Sequence, residues 1–434
     1  MEASANFRGT AHVVSDTLER EMPTPSPQIS PELLTFEQAL ATVKERLSEA
    51  VVRLASESLP LERAQGRILA EDVLADRDYP PFNRSTRDGY AVRSADVINT
   101  PAALTCLGEV RAGASFSGEV GAGQCVQIMT GAPLPAGVDA VVMVEHTRSA
   151  GSKLEILRTV SPSENVVRQG SEAVAGKPVF ARGRRLGAGE LGLLASVGCA
   201  RPRVNLQPRV AVLPTGDEIV PVDQNPAWFQ IRNSNAVSLA AQVAAAGGIP
   251  CPLPVAPDRK DDLNRLIRHG LESDLLLLSG GVSMGKYDLV EDVLGEMGAE
   301  FFFRGVKLRP GKPLVFGRVA GKFFFGLPGN PVSTYVTFEL FVRPAIRMLS
   351  GGGFEPLVFL RARLGSAVKL KLGLTAFFPA RVESREGEPI VNLVGWQGSG
   401  DLVGVAAANC FLVIHPEQTD LSPGTWVDVL PKPG

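Results

Sequence analysis

Hydrophobic and polar positions alternate in different ways along the chain, and each regime predicts its own kind of element. Residues 1–30 are polar, end in the proline-rich run from Met22, and show neither helical nor strand periodicity, which predicts a disordered tail. Thr35-Phe-Glu-Gln38 has capping-box spacing, and Phe36, Ala39, Leu40, Val43 and Leu47 follow at i, i+3, i+4, i+7 and i+11. An amphipathic helix starts there. From about Ile68 to Leu157 short β-type runs separated by glycine-rich turn clusters predict a small β domain. Residues 177–186 then read as a strand and 189–197 as a helix, expected to return and pack with the first helix in a linking domain.

At Pro208 the character changes. Apolar runs at 209–213, 249–255, 275–278, 301–303, 314–316 and 323–325 alternate with amphipathic stretches at 234–246, 260–271, 289–297 and 331–348, the last expected to kink near Pro344. Strands alternating with helices of this length predict a doubly wound parallel sheet, with the ligand site at the carboxyl ends of its strands. After Gly351-Gly-Gly353 short β-type runs return. The expected architecture is multidomain α/β plus β: a linking α/β domain (31–79 and 158–207), an inserted small β domain (80–157), the doubly wound α/β domain (208–350) and a C-terminal β-barrel-like domain (351–434).

Composition narrows the chemistry. Lys+Arg 44 against Asp+Glu 46 gives a net charge of −2, so no global basic field points to nucleic acid or anionic lipid, and anion binding must be local. No run of apolar residues is long enough to span a bilayer and no secretory leader is visible, so the cytoplasm is the expected compartment. The five cysteines are scattered without a Cys-x-x-Cys pair, and the four histidines have no partner at ligand spacing. A disulfide framework, zinc and iron–sulfur sites are thereby disfavoured, and a metal should be a hard one held by carboxylates and phosphate, magnesium first.

Several loops at predicted strand ends carry anion-binding chemistry. In Ser279-Gly-Gly-Val-Ser283, Gly280 and Gly281 let backbone N–H groups approach a phosphate or a fused heterocycle, while Ser279 and Ser283 add hydroxyl donors. Gly326-Leu-Pro328-Gly329-Asn330 precedes a helix opened by Pro331, which predicts free N–H groups at a positive helix end. Arg309-Pro-Gly-Lys312-Pro313 brings two cations onto a proline-stiffened turn. Thr215-Gly216-Asp217-Glu218 sets two carboxylates after a strand, and Asp258 and Asp288 follow neighbouring strands. Four acids converging on a pyrophosphate would suit a bridging magnesium ion. Gly187-Ala-Gly-Glu-Leu-Gly192 has dinucleotide-fingerprint spacing but no surrounding βαβ unit, and reads as a helix start.

These strings, with the Asp88-Gly-Tyr-Ala loop and Met129-Thr-Gly-Ala-Pro133, occur in an order that closely resembles the molybdopterin molybdenumtransferases, and is similar to the E domain of gephyrin, from about Leu33 to the C-terminus. The resemblance implies that adenylylated molybdopterin and molybdate are converted to molybdenum cofactor, AMP and water with the help of Mg2+. It also implies an elongated homodimer whose active site lies between the α/β domain of one subunit and parts of the other, and a molybdopterin adenylyltransferase as upstream partner. Asp88 and Thr130 match functional positions of the family's β domain, placed to act across the dimer interface beside Glu218, Asp258 and Asp288. Arg309, Lys312, Ser333, Arg381 and Ser399 match positions around its molybdate pocket. Thr215, Gly216, Asp217, Ser279, Gly280, Gly281, Ser283, Pro328, Gly329 and Asn330 fall to the pterin substrate, and Asp217, Glu218, Asp258 and Asp288 to magnesium. The chain departs from the family pattern at Asn83, Arg87, Arg304-Gly305 and Arg309. A non-catalytic pterin-binding or scaffold protein and a tungstate-handling variant are the alternatives; the retained acids favour the enzyme.

Overall fold

A computed structural model describes residues 33–50, 55–281, 289–370, 373–395 and 397–432. The polar tail, Ser283 and Asp288 lie outside the described residues. Helix α1 (Phe36–Ala50) opens with the capping box read from the sequence: the Gln38 N–H donates to Thr35 Oγ1 at 3.2 Å and the Thr35 N–H to Gln38 Oε1 at 2.9 Å. Its partner is not the expected one. Phe36, Ala39, Val43 and Leu47 enter the core of the α/β domain, where the Phe36 ring meets Phe341 and Phe377 edge-on at 5.8 and 5.4 Å. Helix α2 (Ala188–Ser196) packs in a separate core with Leu69, Val73, Leu186 and Val204. Strands rather than helices close the linking unit, Ser56–Ser58 pairing with Arg203–Asn205 and Val73–Leu74 with Pro178–Phe180.

The inserted β domain is a six-stranded sheet in which Gly89–Val92 runs antiparallel to Gln124–Ile128, with Gly89 opposite Ile128. That register sets the residue before the first strand, Asp88, beside the residues just after the second, which include Thr130.

In the α/β domain the strands Ile249–Pro252, Arg209–Pro214, Leu275–Ser279 and Lys322–Leu327 lie side by side and parallel. Their apolar residues divide by pleat parity. Val210, Val212, Leu275, Leu277, Phe323 and Phe325 face one core together with α3 (Ser234–Ala246), while Ala211, Leu213, Leu276, Leu278 and Phe324 face the other with α4 (Lys260–Gly270) and α5 (Leu289–Glu296). Both faces are covered, so the sheet is doubly wound. It is not parallel throughout: Val315–Val319 and Glu300–Arg304 complete the edge antiparallel. The reason is the connection. Ala320 and Gly321, at φ +49° and +77°, join Val315–Val319 to Lys322–Leu327 as a two-residue hairpin, which leaves no room for a crossover helix.

The long helix expected from 331 to 348 is instead α6 (Pro331–Thr337), a π-helical turn (Phe338–Val342) and α7 (Arg343–Leu349) in succession. Pro344 has no N–H to offer the Leu340 carbonyl, and the widened turn directly before it absorbs that lost bond. The C-terminal unit is a closed five-stranded barrel, Thr375–Arg385, Glu388–Leu393, Leu360–Leu364, Trp426–Pro431 and Cys410–Ile414, sealed by pairing of the last with the first. Leu308–Arg309 adds to it in parallel, opposite Thr375 and Ala376.

Candidate functional site

Three parallel strands end at one place and hand over to loops there: Arg209–Pro214 to Thr215, Leu275–Ser279 to Gly280, and Lys322–Leu327 to Pro328. Between them opens a cleft of about 420 Å³ whose wall includes Thr215, Gly216, Glu218, Asp258, Ser279, Gly280, Gly281, Pro328, Gly329 and Asn330. The sheet edge thus gathers most of the residues read as substrate loops, at the position the doubly wound topology predicts. Gly280 is required by its geometry: at φ +95° a Cβ would stand 2.6 Å from the Thr215 carbonyl oxygen. The Thr215 side chain is 2 % exposed and its hydroxyl has no hydrogen-bond partner among the described residues. A buried hydroxyl left unpaired costs about 1–3 kcal/mol, which a bound ligand can recover.

A residue absent from the sequence reading ties the loops together. Asn235, in the first turn of α3, donates from Nδ2 to Ser279 Oγ at 3.0 Å and to the Gly329 carbonyl at 2.8 Å, with Thr334 Oγ1 at 3.4 Å. One side-chain amide therefore fixes the spacing of the Ser279 and Gly329 loops. The signal was in Asn233-Ser-Asn235: Asn233 is spent as the helix cap, accepting from the Ala236 N–H at 3.1 Å, which leaves a second asparagine without a capping role.

Three of the four acids fall within the described residues. Glu218 and Asp258 line the cleft, and Asp217 turns its Oδ1 to accept the Asp258 N–H at 3.1 Å. Burial, then the negative charge of Asp217 and, less strongly, Glu218, push the Asp258 carboxyl above the ordinary aspartate range. Among the described residues no three acids, histidines or cysteines stand together as a metal site, and Asp288, the fourth acid expected, lies outside them. Magnesium usually binds through one or two carboxylates plus substrate phosphates, and the donors here, all hard oxygens, fit it in kind.

The residues assigned to molybdate do not line the cleft, although Pro313 of their turn does. The Arg309 guanidinium lies 5.8 Å from the centroid of the Phe378 ring, and Lys312 is exposed. Ser333 is buried in the first turn of α6, and the Ser399 carbonyl accepts the Val332 N–H at 2.9 Å, so one of the helix-end donors expected to be free is occupied. Arg381 projects from the barrel and pairs with Glu383 at 2.9 Å. Asp88 and Thr130 also lie outside the cleft wall but are joined to each other: the Thr130 N–H and Oγ1 both donate to Asp88 Oδ1 at 2.7 Å. These bonds hold the Asp88 carboxyl below its ordinary range. Two of the departures have ordinary local roles, Asn83 Oδ1 accepting from the Gln169 N–H at 2.9 Å and Arg304 stacking 4.0 Å from the Phe301 ring centroid. Gly187-Ala-Gly-Glu190 is a helix start, with the Glu190 carboxylate accepting the Gly187 N–H at 3.0 Å. No helix among the described residues is long and apolar enough to cross a membrane.

Three family models cover the chain in order: the MoeA N-terminal region (domains I and II) over 34–198, a molybdopterin-binding domain over 211–348, and the MoeA C-terminal region (domain IV) over 361–432. The molybdopterin molybdenumtransferase of Nostoc sp. is 36% identical over 389 residues, spanning 87% of this chain and 89% of its own length. That of Bacillus subtilis is 33% identical over 384 residues, with 86% and 89% covered. A crystal structure of the molybdopterin biosynthesis MoeA protein from Pyrococcus horikoshii superposes with a TM-score of 0.75 at 27% identity, covering 92% of this chain and 100% of the other. With its cleft at the switch of a doubly wound sheet, flanked in sequence by a linking unit, an inserted β domain and a closed barrel, the chain belongs to the molybdopterin molybdenumtransferases, transferases that insert molybdenum into molybdopterin during molybdenum cofactor biosynthesis.

Proposed function

We propose that the substrate is the adenylylated form of molybdopterin and that insertion of molybdenum from molybdate releases AMP. The observation that supports this reading is the buried Thr215 hydroxyl, without a hydrogen-bond partner among the described residues, beside Gly280 and Gly281, where two glycines let a ligand oxygen approach. In this reading the Ser279 and Gly329 loops orient the pterin and its phosphates, and the Asn235 amide keeps both loops at a fixed separation. Glu218 and Asp258, with Asp217 behind them and Asp288 as a fourth candidate, would hold magnesium, which supplies neutralisation of the phosphate charge. Arg309 and Lys312 provide cations for molybdate, with Ser333, Arg381 and Ser399 as further donors.

Asp88 and Thr130 form a bonded pair outside the cleft wall, and a homodimer would let the β domain of a second copy present them to the site. In this reading an upstream adenylyltransferase supplies the substrate, and the cytoplasm is the proposed compartment. Incubation of adenylylated molybdopterin with molybdate, with and without Mg2+, tests the reading. AMP release is expected to require both the protein and Mg2+, and Thr215→Val should weaken pterin binding. Release no greater than a protein-free blank would overturn it.

A further inference from the structure

We infer that the Trp228–Phe229 turn is an aromatic platform at the mouth of the cleft, on which a flat fused nitrogen heterocycle of the substrate stacks while Arg232, in the cleft wall, supplies a positive charge near its phosphate. The inference rests on the cleft being the substrate site and adds a recognition element that no motif of the sequence assigned.

The turn is an outgrowth of the cleft wall. Ile219–Val220 pairs in parallel with Ile231–Arg232, so the segment 221–230 leaves the wall just after Glu218 and Ile219 and rejoins it at Ile231 and Arg232. Asn233, Ser234 and Asn235 continue that wall. At the tip the chain is closed twice: the Gln230 N–H donates to the Ala227 carbonyl at 3.0 Å, and the Ala227 N–H donates to Gln230 Oε1 at 3.0 Å. Trp228 and Phe229 occupy the two central positions, with rings edge-on at 5.6 Å. Arg232 braces the base, donating to the Gln224 carbonyl at 3.2 Å.

Turn chemistry does not call for these residues, since such positions favour Gly, Asn, Asp, Pro or Ser. Yet Trp228 is 96% exposed and Phe229 58%. An indole exposes a large apolar face, and a turn fixed by its own hydrogen bonds loses little freedom on stacking, which makes it a preorganised surface. The occupant follows from position and charge. The same short segment offers a cation where it meets the cleft and an aromatic pair at its tip, the combination that suits a phosphorylated heterocycle. Both the pterin and the adenine of an adenylylated substrate have that chemistry.

The test uses the full chain. Trp228 is one of three tryptophans, so free pterin and AMP are titrated separately while emission is followed in wild type and Trp228→Phe. Quenching is expected with one of the two rings and should be lost in Trp228→Phe; the ring that quenches identifies the stacked half. Trp228→Ala should raise KM for the adenylylated pterin by about 5- to 150-fold with kcat retained, the equivalent of one base–aromatic stack of about 1–3 kcal/mol, and Trp228→Phe should restore KM. Quenching by neither ring overturns the inference. So does an unchanged KM in Trp228→Ala; if Thr215→Val then impairs binding, the cleft reading stands and the platform alone fails, whereas two silent variants sink both. A KM effect in Trp228→Ala that tracks dissociation of a dimer in sedimentation also overturns it, in favour of a contact between copies.

Discussion

Replacing Asn235 by alanine should disconnect the two substrate loops without unfolding the helix that carries it. The position lies in the first turn of α3 and alanine is the best helix former, so the helix itself loses little. What is lost is the Nδ2 donor. Ser279 Oγ, at 3.0 Å, can rotate toward another partner, but the Gly329 carbonyl, at 2.8 Å, is left without this donor. Leaving such a group unsatisfied costs about 1–3 kcal/mol. If substrate binding must restore the lost spacing, kcat/KM for molybdenum insertion falls by about 5- to 150-fold at 1.36 kcal/mol per tenfold. Asn235→Asp is the sharper variant: similar in shape, it sets an acceptor against the Gly329 carbonyl and should be at least as impaired. Steady-state insertion kinetics, with thermal unfolding measured in parallel, distinguish the outcomes. Wild-type kcat/KM in both variants would refute the tie between the loops, as would a loss fully explained by a lower folded fraction.

Other variants probe separate parts of the structure. Gly280→Ala forces a Cβ to 2.6 Å from the Thr215 carbonyl oxygen at φ +95°, so pterin binding measured by calorimetry should be lost even where circular dichroism shows a folded chain. Phe36→Ala should cost about 3–5 kcal/mol in urea unfolding, because the ring is 6 % exposed and wedged between Phe341 and Phe377. Asp258 has a folded-state pKa above its ordinary 3.8, so its ionisation opposes folding; that penalty is absent below pH 3.8 and complete once the pH exceeds the raised value. Asp258→Asn should therefore raise Tm over wild type at neutral pH in magnesium-free buffer, with the gain vanishing on acidification, and a gain independent of pH would refute the assignment.

Elements whose partners are local in sequence were legible; those decided at a distance were not. Continuous apolar runs such as Leu275–Leu278 marked central strands because both faces are buried, and the loops after them fell at the cleft as the topology requires. The antiparallel edge was missed because Ala320-Gly321 is a weak turn signal, and its hairpin is recognisable mainly from positive φ. The partner of α1 could not be read either: an apolar stripe shows that a face is buried, not what buries it, and here Phe341 and Phe377 come from far along the chain. The Arg381–Glu383 pair follows a local rule, since residues two apart on a strand share a face. The role of Asn235 is set by three partners distant in sequence, which no local pattern reveals.

The short pairing of Leu308–Arg309 with the barrel strand at Thr375 and Ala376 ties the C-terminal unit to the cationic turn. The cationic turn is strung between two bodies, one side sewn to the barrel and the other entering the sheet at Val315. A shift of the barrel would carry Arg309 with it and, through the Ser399 carbonyl on the Val332 N–H, would also pull on the start of α6 beside the Gly329 loop. In the function proposed above, barrel substitutions far from the cleft wall would then alter molybdate affinity through this outer handle.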